Sequence, residues 1–206
     1  MDEKTLLFRR LSAALGRPEG PDATHPSRES APPPENWDER IFRFTEALTA
    51  VGGTVLPGPT EEALSTLGEV LRAEGVTALF HPPDDAGARQ AAEALVPFGP
   101  FLLTTGEAVR RGSSASTAGF RTADAGIAET GTVVEATRGG KTLLPGLLSD
   151  VHVSLLPAES IVERMDDLFA LYADDPPRNI SLISGPSKTA DIEQTLTVGA
   201  HGPKRI

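Results

Sequence analysis

Two short stretches in the second half of the chain hold side chains suited to act on a small molecule. In "AETGT", Glu129 stands beside Gly131, bracketed by the hydroxyls of Thr130 and Thr132. A carboxylate held in a tight turn next to bare backbone amides can serve as nucleophile, base or ligand anchor. The same pattern also describes a turn whose glycine takes positive φ and whose glutamate is only solvated. In "SGPSKT", Ser184, Ser187 and Thr189 offer hydroxyls, Gly185 lets backbone approach a bound group, and Lys188 supplies a point charge. These are the parts of an anion cradle. The Gly-x4-Gly-Lys spacing of a triphosphate loop is missing. Asp191 and Glu193 follow at once, so a carboxylate or a single phosphate suits the stretch better than a triphosphate. Those two acids equally suit the start of a helix.

The four histidines, His25, His81, His152 and His201, show no metal-ligand spacing, and no metal site is expected. Asp150 and His152 form a D-x-H pair, but on a strand they would simply share one side. His201 lies in "VGAHGPKRI", where an imidazole either reaches a neighbouring pocket or occupies a turn.

Elements must position these groups. "NISL" reads as a strand running into "SGPSKT", and Ile192, Leu196 and Gly199 then recur at helical spacing, which predicts strand, loop, helix. The carboxyl end of such a strand is where open α/β sheets take their ligands. Upstream, Trp37, Ile41, Phe44, Leu48 and Val51 define an amphipathic helix ended by glycines. After it come a short strand at "TVLPG", a helix marked by Leu64, Leu67 and Leu71, and a strand at "VTALF". A helix from Asp85 to Val96 and a strand at "FLLTT" follow. That alternation predicts an α/β, Rossmann-like fold with a mostly parallel sheet and helices on both faces. Residues 123–128 and 131–136 read as a hairpin or an abrupt change of direction. "VHVSLLP" is a further strand, followed by a helix set by Ile161, Met165, Leu168, Phe169 and Tyr172.

The compact domain is expected over residues 36–206, preceded by a short helix within 1–16 and a linker over 17–35. The linker has six prolines in nineteen residues and no large apolar side chain to anchor it. The formal charge of −10, with no basic cluster beyond Arg-Arg pairs, argues against nucleic acid or an anionic membrane surface as partner. With no cysteine, the chain can hold neither a disulfide nor a cysteine-ligated zinc or iron–sulfur site. "MDEKTLLFRRLSAAL" lacks a continuous apolar core and is no signal peptide, and no apolar run approaches the ~20 residues of a membrane span. A cytoplasmic location is expected.

"AGIAETGTVV", the Leu143–Leu144–Pro145 segment, "ISGPSKTADIE" and "VGAHGPKR", in that order, resemble the LUD-domain family. The resemblance covers most of residues 36–206. It implies a three-layer fold of the NagB/RpiA/CoA-transferase-like group. It also implies a part in oxidising L-lactate to pyruvate together with two iron–sulfur partner subunits (LutA- and LutB-like), which would carry the clusters. The chain ends at Ile206 just after "HGPKR", where the family usually adds one more strand, so an edge strand is expected to be lacking. Two other readings stay open: a stand-alone enzyme of the CoA-transferase or sugar-phosphate-isomerase type, and a metabolite-binding subunit without catalysis. The expected site places both turns against one small carboxylate or phosphate ligand, with Glu129 as the acid. Thr130, Gly131, Thr132, Ser184, Gly185, Ser187, Lys188, Thr189 and His201 would bind the ligand.

Overall fold

The computed structural model describes residues 37–206 apart from Pro59, 112–114, 138–141, 191–195 and 200–201. The helix expected over 1–16 and the linker over 17–35 lie outside the described residues. Among the described residues no helix is long and apolar enough to cross a membrane.

The first sheet is wholly parallel, in the order β2-β1-β3-β6. Its strands are β1 (Val76–Phe80), β2 (Leu102–Thr104), β3 (Ser116–Thr122) and β6 (Val151–Leu155). Helices α1 (Trp37–Ala50), α2 (Glu61–Ala73) and α3 (Ala86–Leu95) precede or separate the early strands. Each starts or packs where the side chains dictate. The Thr60 hydroxyl accepts from the Ala63 amide at the head of α2, with Glu61 and Glu62 in its first turn. Asp85 accepts from the Ala88 amide at the head of α3, and also from the backbone amide and hydroxyl of Thr122. The helix end that takes a phosphate in nucleotide-binding α/β folds is therefore filled by the chain's own carboxylate.

Alternation along β3 and β6 divides this sheet into two unlike faces. Ala118, Phe120 and Val151 join Leu71, Leu79 and Leu95 in an apolar core under α2 and α3. The opposite positions are Gly119, Arg121, His152 and Ser154, paired in register as Gly119 with His152 and Arg121 with Ser154. A helical turn, α5 (Leu144–Leu148), lies over this polar face, after the short α4 (Gly106–Arg110). A Cβ at Gly119 would sit 2.5 Å from the Pro145 carbonyl oxygen, so only glycine admits α5 that closely.

The hairpin expected at 123–136 is present as β4 (Ala125–Ile127) and β5 (Thr132–Ala136), and it builds a second sheet. Its order is β7-β4-β5-β8, with β7 (Ile161–Val162) and β8 (Ile180–Ile183) at the edges. Both faces are covered. Phe44 and Leu48 of α1 pack with Val133 and Ile161, while Leu168 of α6 (Met165–Leu171) packs with Ile127, Val134 and Ala136. Arg40 of α1 donates to the Ile161 carbonyl at 3.0 Å, and Arg43 pairs with the buried Glu163.

Three expectations need correction. "TVLPG" forms no regular strand; the Thr54 amide instead donates to the Ile206 carbonyl. Ile161 belongs to strand β7, and the helix begins only at Met165. Among the described residues the helix expected after "SGPSKT" is absent: β9 (Lys188–Ala190) pairs antiparallel with β10 (Leu196–Val198). The β-branched residues Thr189, Thr197 and Val198 outweigh a helical spacing whose third point is a glycine.

Gly131 shows how tightly the layers are set. Its φ is +60°, and a Cβ there would collide with the backbone of Ala47 and Leu48. Gly131→Ala should therefore lower stability by about 2–3 kcal/mol in urea titration through strain and displacement of α1. A loss below a few tenths would show that α1 moves aside freely.

Candidate functional site

The two turns do meet. "AETGT" connects β4 to β5, "SGPSKT" leaves the carboxyl end of β8, and β5 lies between β4 and β8. Thr132 Oγ1 is 2.6 Å from Thr130 Oγ1 and 2.7 Å from Ser184 Oγ, so three hydroxyls form one chain across the strand ends. Each hydroxyl carries a single proton, so their donor directions are coupled.

The two glycines serve packing at least as directly as ligand approach. Gly131 lies under Ala47 and Leu48, while Gly185, at φ +91°, would place a Cβ 2.8 Å from the Val51 carbonyl oxygen. Lys188 Nζ donates to that same carbonyl at 2.9 Å, a cation at the carboxyl end of α1 where the helix dipole favours it. Glu129 is exposed, with Arg164 Nη2 at 3.9 Å. Thr189 contributes backbone to β9, and His201 lies outside the described residues.

A cavity of about 340 Å³ opens beside this loop. Ser184, Gly185 and Ser187 line it, together with Ser181, Gly146 and Glu135. Glu129, Thr130 and Lys188 do not, so the turns share a hydrogen-bond chain rather than one wall. A larger cavity of about 620 Å³ sits between α2, α3 and the apolar face of β3 and β6. Its walls are mostly hydrocarbon and offer little chemistry.

Glu135 is the acid that sequence reasoning missed. It is 1% exposed; its Oε1 shares a hydrogen bond with His152 Nε2 at 2.7 Å and accepts from Ser154 Oγ at 3.2 Å. His152 Nδ1 lies 3.2 Å from the Gly119 carbonyl, which can only accept, so that nitrogen carries a proton. Arg121, 0% exposed, completes the set. It donates to Asp124 Oδ2 from both terminal nitrogens and to the carbonyls of Thr142 and Ala136. Its Nη1 is also 3.6 Å from Glu135 Oε2. That oxygen accepts no hydrogen bond. Buried carboxylate oxygens are normally satisfied; this one, closed to solvent, has the Arg121 guanidinium beside it in place of a hydrogen-bond donor. The only sequence signal was a glutamate inside the apolar run "TVVEA", at a position whose neighbours are all buried.

Comparison with known proteins agrees with the resemblance to the LUD-domain family. The family model for the LUD domain matches residues 41–206. The chain belongs to the LUD domain family. Two relatives illustrate the range of similarity. Lactate utilization protein C 1 of Bacillus mycoides is 27% identical, over 95% of this chain and 91% of that protein. Lactate utilization protein C of an Exiguobacterium species is 38% identical, over 43% of this chain and 41% of its own length. The crystal structure of a DUF162 family protein from Deinococcus radiodurans shares the LUD chain's fold. It matches with a TM-score of 0.55 at 15% identity, over 84% of this chain and 96% of that one.

The Arg121 cluster also sets a stability expectation. Arg121→Met would leave Asp124 and Glu135 without their buried counter-charge, and should cost about 3–5 kcal/mol in chemical denaturation. A loss under about 1 kcal/mol would mean that water already screens the cluster.

Proposed function

We propose that this chain is a lactate utilisation protein C-like subunit of a cytoplasmic system that oxidises L-lactate to pyruvate. It would act with iron–sulfur subunits that carry the electrons, and bind a small carboxylate or phosphate ligand itself. The observation that carries this reading is the match, over 95% of the chain, to a protein named for lactate utilisation. Having no cysteine, the chain would leave cluster ligation to its partners.

In this proposal the ligand occupies the cavity at the carboxyl end of β8. Ser184, Gly185 and Ser187 supply neutral donors, and Thr130 and Thr132 fix the Ser184 hydroxyl through their shared chain. The acid assigned from sequence to Glu129 passes to Glu135, which is buried and lines the cavity. That buried acid also favours a second reading, in which the chain alone transforms its ligand as CoA transferases or sugar-phosphate isomerases do. Turnover by the purified chain on a CoA ester or a sugar phosphate would establish the second reading over the first.

Deleting the gene should abolish growth on L-lactate as sole carbon source, and the intact gene supplied in trans should restore it. The tagged chain should co-purify with iron–sulfur proteins that show the visible absorbance of their clusters. Growth of the deletion strain at the parental rate would sink the proposal.

A further inference from the structure

We infer that the free edge of β8 is a docking site for an extended segment of a partner protein, apolar along its middle and acidic at its ends, which adds to the four-stranded second sheet as a further strand. The proposed function assigns no surface to any partner, so this site lies beyond that reading.

Backbone geometry shows where the open hydrogen-bonding groups are. β8 pairs antiparallel with β5, and among the described residues with no other strand. The Thr137 amide donates to the Asn179 carbonyl at 3.0 Å, in the same register that pairs Glu135 with Ser181 and Val133 with Ile183. Antiparallel ladders alternate, so Ser181 and Ile183 turn their amides and carbonyls towards β5. Those of Ile180 and Leu182 point away from the sheet, where another strand can bond them. Folded proteins usually blunt such an edge with a charge, a proline or a bulge. From Asn179 to Ser184 the stretch "NISLIS" has no charged residue and no proline, and the ladder keeps one unbroken register.

The flanks decide what kind of strand fits. From Arg178 to Lys188 the chain carries those two cations, both exposed, and no acid. Lys188 keeps its charge while donating to the Val51 carbonyl. The nearest acids upstream, Asp174 and Asp175, stand beyond Pro176 and Pro177. On a chain of formal charge −10 this is a locally positive rim, and it complements an acidic segment. It disfavours a second copy, whose β8 would bring the same two cations against these. Apolar contact is available as well: Leu182 is 43% exposed and Leu147 57%, and both line the cavity between β8 and α5. Side chains of an added strand alternate, so every second one would fall on the face shared with Ser181, over the mouth of that cavity. Backbone pairing then supplies affinity, while the cavity and the flanking cations supply selectivity.

The test is fluorescence anisotropy on the full-length purified chain with two labelled, end-capped peptides: Asp-Val-Thr-Val-Thr-Val-Glu, and its counterpart with lysine at both ends. The acidic peptide should bind saturably and about tenfold more tightly than the lysine one at low salt, and added salt should narrow the gap. Leu182→Pro removes an amide that points away from β5, a substitution that edge strands tolerate. It should abolish binding of the acidic peptide while the melting transition stays cooperative. Arg178→Glu should weaken binding of the acidic peptide about fivefold and strengthen that of the lysine one. This surface variant decides the matter if Leu182→Pro does not fold. No saturable binding of the acidic peptide at about 1 mM, equal affinity for the two peptides, or full binding by Leu182→Pro would each overturn the inference. So would a concentration-dependent dimer in sedimentation that Leu182→Pro dissociates, because the edge would then belong to a second copy. None of these measurements involves lactate or growth, so the docking site and the proposed function fail separately.

Discussion

An arginine with no solvent exposure cannot exist alone, and the arrangement of this molecule depends on how Arg121 is balanced. Moving a guanidinium out of water costs several kcal/mol unless its donors and its charge are met. Arg121 meets them on three elements at once: Asp124 just beyond its own strand, the carbonyls of Thr142 and Ala136, and the carboxylate of Glu135. Asp124 also accepts from the Ala136 amide, so one carboxylate joins the arginine to the neighbouring sheet. The parallel sheet therefore contacts the mixed sheet through charge as well as through hydrocarbon. Everything nearby has adapted to that junction, including the bare Gly119 that lets α5 close over it.

The same junction explains which parts of the fold were legible in the sequence. Helices with a single buried stripe, such as α1 with Phe44 and Leu48, announce themselves through spacing. So do strands that are apolar but for one exposed position, such as β1 with Thr77. Strand β3 does not. "STAGFRT" alternates small or aromatic residues with Thr, Gly and Arg, the signature of a strand with one wet face. Here that second face is dry and ionic, a distinction that only tertiary contact creates. The "SGPSKT" loop was correctly placed after a strand, yet it leads into a hairpin, because local spacing could not reveal a strand partner at Leu196–Val198.

The candidate site divides in the same way. Turn chemistry drew attention to Ser184, Gly185, Ser187 and the Thr130–Thr132 pair, and these residues do assemble. Glu129 drew attention because it stands beside a glycine, but it points to water. Glu135 and His152 are seventeen positions apart and sit within runs of valine and leucine, where neither forms a motif. Their significance comes from two strands of different sheets facing each other, which no spacing rule encodes. Lys188 and Gly185 likewise acquire a shared partner, Val51, from far along the chain.

The position of Glu135 within β5 has a consequence for how faithfully the chain reaches this structure. Side chains on a strand alternate, so sliding β5 by one residue would exchange Glu135 with Val134 or Ala136. A hydrophobic core alone penalises such a slip weakly, because β5 is apolar on both faces and either face would find hydrocarbon to cover it. The lone carboxylate removes that degeneracy. In the slipped arrangement it would be driven into the hydrocarbon around Leu168, while the guanidinium of Arg121 would meet a methyl group. Both errors are electrostatic and both occur together, so the wrong pairing is disfavoured twice. The buried charges thus act as a key for strand alignment: a sheet that hydrophobicity would allow to assemble in more than one way is restricted to one.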